Sequence, residues 1–408
     1  MSFTITFFNQ QKTYDKPIKV LDIVGDDKDI VCAYVNKRVR ELTYVVDKDA
    51  EIIPLTCKNR DAKPIYEASL RFVVAMAMKR IRPDIKIRFS YNVSRAIFMQ
   101  ILNPGVKSNS QLYKDLQKEI NEIVESDFPL NRRIISKAEA EKFFLENDMK
   151  DKLEILPYRP EKTCHLYECD GYQNYMYSRM VPSTGYIKKW ALRFYHPGII
   201  IQYPRPDMNG EIPPFEDAPT FGRTLKAAHT WAKSTGADSI VGINKLIEEN
   251  GPVDFITLCE QKHNRQLCEL GQMIEDDIEN IRLICIAGPS SSGKTTFANR
   301  LRIELLSRGF NPIRISLDDY YLPRDKVPLD EDGKPDFEDI KALDIELFNQ
   351  NMIDLISGME VTLPKFDFKL GHRVDGRTLK IDETQPIIIE GIHALNDMMT
   401  TSIPSHQK

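Results

Sequence analysis

The pattern of apolar and polar positions divides the chain into an N-terminal part with many short strands and a C-terminal part in which strands and helices alternate. Residues 1–62 contain short apolar runs separated by turn residues, which predicts strands at 3–8, 13–14, 31–35, 42–46 and 52–53 and a short helix at 20–24. Farther on, apolar residues at helical spacing predict a helix over residues 66–81. Ser136 and Glu139 form a capping-box pattern before another helix. We therefore expect an α+β N-terminal region.

A proline-rich stretch follows this region. Residues 202–222 contain five prolines among polar residues, a composition typical of a linker. Apolar spacing then predicts helices over 224–233, 240–249 and 255–277. We expect residues 202–279 to form a linker and a helical connector.

From residue 280 the pattern changes to strand, helix and strand. Residues 282–287 form an apolar run, and Phe297, Leu301 and Leu305 recur at helical spacing after it. Residues 312–317 and 386–391 predict further buried strands. This alternation is typical of a parallel sheet covered by helices, so we predict an α/β domain over 280–408.

A glycine-rich loop joins the first of these strands to the helix. Gly288 to Thr295 fits the pattern G-x-x-x-x-G-K-[ST], in which backbone N–H groups turn toward phosphate oxygens at a helix N-terminus. We expect Lys294 to reach the β and γ phosphates and the Thr295 hydroxyl to bind Mg²⁺. The loop predicts a nucleoside triphosphate site formed by Gly288, Ser290, Ser291, Ser292, Gly293, Lys294, Thr295 and Thr296.

Two carboxylates stand at the ends of predicted strands. Asp318 follows residues 312–317, and Glu390 lies at the end of residues 386–391. In open α/β sheets, chemistry lies at the carboxyl ends of the strands. Asp318 is placed to accept a proton from an acceptor hydroxyl, and Glu390 to hold Mg²⁺ directly or through water. Spacing alone leaves other roles open, namely a helix cap or a solvated carboxylate for Asp318 and a chance acidic residue for Glu390.

Residues 284 to about 395 resemble the uridine kinase and phosphoribulokinase family. Residues 316–321 match the family segment that holds the catalytic aspartate, which falls on Asp318. Residues 336–344 resemble the segment whose third residue, here Glu338 instead of the usual Asp, holds the nucleoside ribose. Residues 364–368, followed by His372 and Arg373, resemble the nucleoside-binding hairpin.

The resemblance implies an ATP-dependent, Mg²⁺-dependent nucleoside kinase of the uridine or cytidine type, acting on a 5′-hydroxyl. Asp318 and Lys294 are then the catalytic residues, and Thr295 and Glu390 hold the metal. The substrate side is formed by Glu338, Phe366, Phe368, His372 and Arg373. Two alternatives stay open: a kinase for another small alcohol such as a sugar phosphate, and a nucleotide-gated RNA-binding regulatory protein.

Kinases of this family continue with a lid that carries arginines over the transferred phosphoryl group. The chain ends 18 residues after Glu390, the difference between positions 408 and 390. We therefore expect a truncated kinase that binds ATP better than it turns ATP over.

Residues 1–62 resemble a TGS domain, a ubiquitin-like β-grasp module, in the order of their elements, in the turn at residues 35–37 and in residues 47–51. Residues 63–201 resemble the second additional domain of threonyl-tRNA synthetases, which is the editing domain of that family. This second resemblance rests on the helix that ends before Pro83, on the capped helix and on the Val-Pro-Ser-Thr-Gly turn at 181–185. The first module implies either RNA contact or a docking role without a ligand of its own.

The editing residues of that family are absent. Two histidines on the helix, and a cysteine and a histidine before the turn, correspond here to Phe72, Met76, Met176 and Met180. None of these side chains can shuttle a proton at neutral pH, and thioethers suit Cu(I) rather than zinc. We expect these side chains to fill the pocket, editing to be absent, and the domain to serve as a scaffold or to bind without hydrolysis.

Composition and charge argue against several other classes of protein. The net charge of −4 gives no overall basic footprint for nucleic acid, and no apolar run approaches the length of a membrane span. The seven cysteines are scattered, which suits a reducing compartment, and the N-terminus lacks a signal-peptide pattern. We expect a cytoplasmic protein without membrane contact. Its oligomeric state, including a homo-oligomer, stays open.

Overall fold

The computed structural model describes residues 2–103, 105–330, 333–382 and 385–408. Its contacts divide the chain into two compact units, residues 1–246 and 247–408. The four ranges that we predict from the sequence (1–62, 63–201, 202–279 and 280–408) cut the chain more finely, and they stay a prediction. Within the described ranges, no helix is long and apolar enough to cross a lipid bilayer.

The first part of the first unit consists of strands around one mixed sheet. The elements are β1 (Phe3–Phe7), β2 (Gln10–Tyr14), β3 (Ile18–Lys19), α1 (Val20–Val24), β4 (Ile30–Val35), β5 (Arg38–Arg40), β6 (Val45–Val46) and β7 (Ala50–Thr56). Five of the strands form a sheet in the order β2-β1-β7-β4-β5, in which β1 and β7 run parallel and the other pairs antiparallel. The predicted strand at 42–46 is shorter than expected, because the Tyr44 N–H donates to the Glu41 carbonyl in a turn.

The rest of the first unit packs helices against two antiparallel sheets. The elements are α2 (Lys63–Ile81), β8 (Ile87–Val93), β9 (Ala96–Ile101), α3 (Ser110–Glu125), β10 (Asn131–Ser136), α4 (Lys137–Glu146), α5 (Lys150–Ile155), β11 (Thr163–Cys169), β12 (Tyr172–Tyr175), β13 (Ala191–Tyr195), β14 (Gly198–Gln202), α6 (Pro219–Ser234) and α7 (Ile240–Asn250). The sheets have the orders β13-β14-β9-β8 and β10-β11-β12. The capping box is confirmed, since the Ser136 hydroxyl and the Glu139 carboxylate each accept the other residue's backbone N–H.

Helix α2 lies in the core of this unit and carries two of the former editing positions. Phe72 and Met76 are fully buried, Met180 is 2 % exposed, and Met176 packs against the same core. A groove of about 1240 Å³ nevertheless opens beside Met76 and Met176, between α2, β8 and β12. The four apolar residues therefore join the core beside an open groove. That they fill the former editing pocket stays a prediction.

The predicted linker is partly packed. Tyr203 is 1 % exposed, and its hydroxyl donates to the Glu67 carboxylate at 2.7 Å. The Gln202 side-chain amide donates to the Pro213 carbonyl at 3.0 Å. Residues 202–213 are therefore held by these contacts and contain a short helical turn at Pro206–Met208.

The second unit is built on a parallel sheet, as the sequence predicts. Its elements are α8 (Pro252–Glu275), β15 (Leu283–Ala287), α9 (Lys294–Ser307), β16 (Ile313–Ser316), α10 (Ile345–Ile356), β17 (Val361–Asp367), β18 (His372–Leu379) and β19 (Ile387–Gly391). The sheet order is β15-β19-β16, and β19 is parallel to both neighbours. All five residues of β19 are buried, as expected for a central strand, and β17 and β18 form a separate antiparallel hairpin.

Helix α8 belongs to this second unit and is not a free connector. Leu267 and Ile274 of α8 form one apolar cluster with Leu301 and Leu305 of α9. Arg308, just after α9, adds an ion pair with Glu275 at 2.5 Å. Helix α8 therefore covers the outer face of the helix that follows the glycine-rich loop.

Candidate active site

The glycine-rich loop joins β15 to α9 and has the conformation that its sequence predicts. Ser291 and Gly293 have φ angles of 60° and 84°, and α9 begins at Lys294 directly after Gly293. At Gly288 a Cβ atom would lie 2.5 Å from the Ser292 hydroxyl oxygen, so a side chain there would displace this hydroxyl from its position in the loop. The loop thus curls tightly in front of the N-terminus of α9, where the helix dipole favours anions.

All the residues predicted to bind the nucleotide lie on this loop and on the first turn of α9. Gly288 and Lys294 are half-buried. The other six are exposed, namely Ser290, Ser291, Ser292, Gly293, Thr295 and Thr296. The structure therefore brings the predicted phosphate-binding residues together on one accessible surface.

The two predicted metal ligands meet at the carboxyl end of the sheet. The Thr295 hydroxyl lies 3.2 Å from Glu390 Oε2, although the two residues are 95 positions apart in the chain. Glu390 is 3 % exposed at the end of the central strand β19. Mg²⁺ prefers oxygen ligands at about 2.1 Å in octahedral geometry, in which neighbouring ligands lie about 3 Å apart. The hydroxyl and the carboxylate therefore fit a Mg²⁺ site.

Asp318 lies beside this pair, on the turn that follows β16. Burial raises the pKa of this half-buried carboxyl, the charge of Glu390 raises it further, and Lys294 opposes the shift. The side chain that caps the turn is that of Ser316, which accepts the Asp318 N–H at 3.4 Å. Ser316, and not Asp318, therefore caps this turn. The Asp318 carboxylate lies close enough to Lys294 and Glu390 for their charges to affect its pKa.

A glycine at the end of β19 permits this arrangement. A Cβ atom at Gly391 would lie 2.7 Å from the Leu317 Cβ atom, which is closer than real side chains approach. Leu317 is buried and directly precedes Asp318. Gly391 therefore lets the Asp318 turn pack against the strand that carries Glu390.

Asp319, which the sequence analysis did not single out, links this turn to the β17–β18 hairpin. Its carboxylate accepts the Phe366 N–H at 3.3 Å. Burial raises the pKa of Asp319, while that hydrogen bond and Lys365 lower it. The hairpin predicted to bind the acceptor is thereby held beside the predicted catalytic aspartate.

An aromatic cluster forms the surface next to Asp318. Phe366 is buried and Phe368 is 56 % exposed, with ring centroids 5.0 Å apart. Tyr321 packs its ring 5.3 Å from Phe337 and 5.8 Å from Phe366. The sequence analysis named the two hairpin phenylalanines but missed Tyr321 and Phe337. The sequence signal for these two was their position inside the segments 316–321 and 336–344, which resemble site segments of the family.

The remaining predicted substrate residues have structural contacts of different kinds. Glu338 is exposed, and its carbonyl oxygen lies 2.9 Å from His393 Nε2. Arg373 lies 2.8 Å from the Asp344 carboxylate, which caps α10. His372 is exposed on the hairpin. Their roles toward a substrate stay predictions, and Arg373 already has a carboxylate partner.

Comparison with known proteins agrees with both predicted resemblances. Residues 283–405 match the model of the phosphoribulokinase / uridine kinase family. The threonine–tRNA ligase of Desulfatibacillum aliphaticivorans is 25 % identical over 183 residues, which are 44 % of this chain and 28 % of that protein. The corresponding enzyme of Clostridium kluyveri is 26 % identical over 180 residues, 43 % of this chain and 28 % of that protein. The chain thus spans less than a third of the length of these relatives.

Among solved structures, one described as a possible uridine kinase from Bacillus stearothermophilus is similar to this chain. The identity is 23 % and the TM-score 0.29, covering 34 % of this chain and 76 % of that chain. The matched family model and the ligase similarity lie in different parts of the sequence. Residues 283–405 thus form a phosphoribulokinase / uridine kinase family domain, in a chain whose N-terminal region is similar to threonine–tRNA ligases.

Proposed function

We propose that this chain is an ATP-dependent kinase that transfers the γ-phosphoryl group to the 5′-hydroxyl of a nucleoside of the uridine or cytidine type. The observation that carries this proposal is the meeting of Thr295 and Glu390 at 3.2 Å, beside the half-buried Asp318. A metal-binding hydroxyl, an acidic strand end that shares the metal and a carboxylate that can take a proton are groups suited to phosphoryl transfer to an alcohol.

Each group has a distinct task in this reaction. The loop and the N-terminus of α9 bind the phosphates, and Lys294 neutralises charge on the β and γ groups. Mg²⁺, held by Thr295 and Glu390, supplies further charge stabilisation when bound. Asp318 orients the acceptor hydroxyl and takes its proton as the phosphoryl group moves.

The aromatic cluster supports a nucleoside as the acceptor. Phe368 has an exposed ring, which packs edge to face against the rings of Phe366 and Tyr321. A flat base can stack on such a surface, whereas a sugar phosphate offers no ring to stack. The exposed Glu338 then faces the ribose side, as the family resemblance implies.

Steady-state phosphorylation of a panel of acceptors tests the proposal. Uridine and cytidine should be phosphorylated, and ribulose 5-phosphate and pantothenate should not. Asp318→Asn should lower kcat by about 10²–10⁴-fold, the usual contribution of a general base, while ATP affinity is kept. Asp325→Asn, which changes an exposed carboxylate nearby, is the matched control.

Other outcomes separate the alternatives. Phosphorylation of ribulose 5-phosphate and of no other acceptor would favour the alternative, a kinase that acts on a sugar phosphate. Binding of ATP without turnover of any acceptor, together with an Asp318→Asn protein indistinguishable from wild type, would contradict the kinase.

We further propose that residues 2–56 form a β-grasp module of the TGS type that contacts RNA. The sheet order β2-β1-β7-β4-β5, with parallel β1 and β7, supports the β-grasp assignment. Salt-dependent binding of tRNA tests the contact, since phosphate contacts weaken steeply with salt. Binding that does not change between low and high salt would argue against it.

A further inference from the structure

The first unit contains a second cavity, which adjoins the groove beside Met76 and shares Tyr175, Tyr177 and Ser178 with it. It has a volume of about 330 Å³ and is lined by residues of β10, β11 and β12 and of the segments next to these strands. Three arginines line it: Arg132, Arg159 and Arg179. Their convergence needs an explanation, because the chain as a whole carries a net charge of −4.

Strand pairing places the side chains of Arg132 and His165 on the same face of the sheet. Arg132 on β10 is paired with Tyr167 on β11. His165 lies two residues before Tyr167 on the same strand and therefore on the same face. The terminal nitrogen Nη2 of Arg132 lies 3.0 Å from His165 Nε2. Burial and the charges of the arginines lower the pKa of His165, so its neutral ring faces the Arg132 guanidinium.

Arg159 is held rigidly at the other side of the cavity. Its Nη1 donates to the Tyr175 hydroxyl at 2.7 Å, its Nε donates to Glu161 at 3.2 Å, and its side chain is only 18 % exposed. The guanidinium also lies over the Tyr175 ring, 5.0 Å from its centroid. Such contacts fix the direction of a charged group before any ligand arrives.

The carboxylates nearby do not balance the arginines. Glu161 is the single carboxylate among the described residues that line the cavity. Glu41 lies 3.4 Å from Arg132, but it also accepts the Tyr167 hydroxyl and the Met180 N–H. Among the residues that the structure describes, Arg179 has no carboxylate within 4.0 Å. At least one positive charge is therefore left without a partner.

We propose that this cavity binds the phosphate group of a small phosphate monoester that carries a flat ring, of which a nucleoside monophosphate is the simplest probe. Guanidinium groups form paired, charge-assisted hydrogen bonds with phosphate oxygens. The Tyr175 ring beside them provides an apolar face for the rest of the ligand. The volume is in the range of small-ligand sites, and the three arginines line one cavity, whereas a nucleic-acid backbone needs a line of cations.

Calorimetric titration of the full chain with uridine 5′-monophosphate, uridine and inorganic phosphate tests this site. The monophosphate should bind more tightly than phosphate. Uridine lacks the phosphate group, so any uridine binding belongs to the proposed kinase site and should be the same in the wild type and in the Arg179→Glu protein. Arg179→Glu should weaken monophosphate binding roughly tenfold or more, and Arg179→Ala should have an intermediate effect, as expected for losing a hydrogen bond to a charged group. Arg179 is exposed, so both variants should keep the melting temperature of the wild type.

Two controls locate the binding. Arg133→Glu changes an exposed arginine on the opposite face of β10 and should leave the affinity unchanged. Lys294→Ala alters the phosphate loop of the other unit and should leave monophosphate binding at this cavity unchanged. A failure of the cavity proposal can therefore be distinguished from a failure of the proposed kinase function. Equal monophosphate binding by the Arg179→Glu and Arg133→Glu proteins would overturn the inference. So would binding of single-stranded RNA without binding of the monophosphate.

Discussion

At the residue scale, Asp318 is the position at which stability and activity oppose each other. Burial and the neighbouring Glu390 raise its pKa, so the charged carboxylate destabilises the folded state. The folded state then binds the proton more tightly than the unfolded state, and stability falls as the pH rises through the interval between the unfolded pKa of about 3.9 and the raised folded pKa. Active sites commonly hold such groups at a cost in stability.

We therefore predict that Asp318→Asn stabilises the second unit at pH 7. The gain should shrink as the pH falls through the raised folded pKa, and it should disappear below the unfolded pKa, where Asp318 is neutral in both states. Urea denaturation of both proteins between pH 3.5 and pH 7 measures the difference. A gain in the free energy of unfolding that grew as the pH fell would contradict a raised pKa for Asp318.

The same shift predicts the acid limb of the pH–rate profile. Only the ionised Asp318 can accept the proton of the acceptor hydroxyl. Because burial raises its pKa, the loss of kcat/KM on acidification should begin at a higher pH than for an ordinary aspartate. A profile that stays flat down to about pH 4 would show that another group acts as the base.

Glu390 permits a prediction about the metal. Replacing Glu390 by Gln removes the charge that faces the Thr295 hydroxyl but keeps the size of the side chain. The apparent affinity for Mg²⁺ in ATP turnover should fall by about 10–100-fold or more, as for other changes around metal sites. Titration of activity with Mg²⁺ measures this, and Glu360→Gln, at an exposed position, is the control. An unchanged Mg²⁺ dependence would remove Glu390 from the metal site.

The loop residues could be predicted from the sequence because every signal for them is local. A short apolar run, two glycines, a lysine and a following helical repeat lie within about 25 residues. The contact between Asp319 and the Phe366 N–H joins residues 47 positions apart, and no periodicity encodes it. The side-chain pairs around Tyr321 are equally non-local, which is why the sequence analysis missed them.

At the element scale, the packing of the Asp318 turn against β19 depends on one missing Cβ atom. Gly391→Ala would place a carbon 2.7 Å from the Leu317 Cβ atom and force the two segments apart. We expect a loss of about 1–3 kcal/mol of stability, as for overpacked cores, and a fall in activity because Asp318 follows Leu317. Gly222→Ala, in helix α6, meets only an ordinary contact of 3.6 Å and should not destabilise. Equal stability of the two variants would contradict this role for Gly391.

Helix α8 gives a second prediction at this scale. Leu267 is 6 % exposed in the cluster between α8 and α9, whereas Leu258 on the same helix is 41 % exposed. Leu267→Ala should cost about 2–4 kcal/mol, and Leu258→Ala much less, because only the first creates a cavity. Urea denaturation compares the two proteins. Similar small losses would show that α8 does not depend on this packing and would favour the helical connector that the sequence predicts.

At the scale of the whole molecule, the boundary between the units is a testable property. The sequence predicted the start of the kinase-like domain at residue 280, because the strand and loop pattern begins there. The structure places the boundary after residue 246, since α8 buries the outer face of α9. Helical periodicity showed that α8 has an apolar stripe, but it could not show which element covers that stripe.

A fragment of residues 247–408 should therefore fold and bind ATP, whereas a fragment of residues 280–408 should be less stable and prone to aggregate. The shorter fragment exposes the apolar residues of α9 that α8 covers, including Leu301 and Leu305. Circular dichroism, size-exclusion chromatography and ATP binding of both fragments measure the difference. Equal behaviour of the two fragments would restore the boundary near residue 280.

The strand order of the second unit also governs when this unit can form during synthesis. Among the three described strands of this sheet, the central strand β19 is the last to leave the ribosome, and within the described residues both β15 and β16 pair only with it. At about 5–20 residues per second, β16 waits several seconds with an unpaired edge before residues 387–391 arrive. The nascent chain therefore exposes two apolar strands that cannot pair with each other in the native arrangement. Chaperone dependence and aggregation should concentrate in this interval, and any change that delays β19 should lower the yield of folded protein before it affects the folded protein's chemistry.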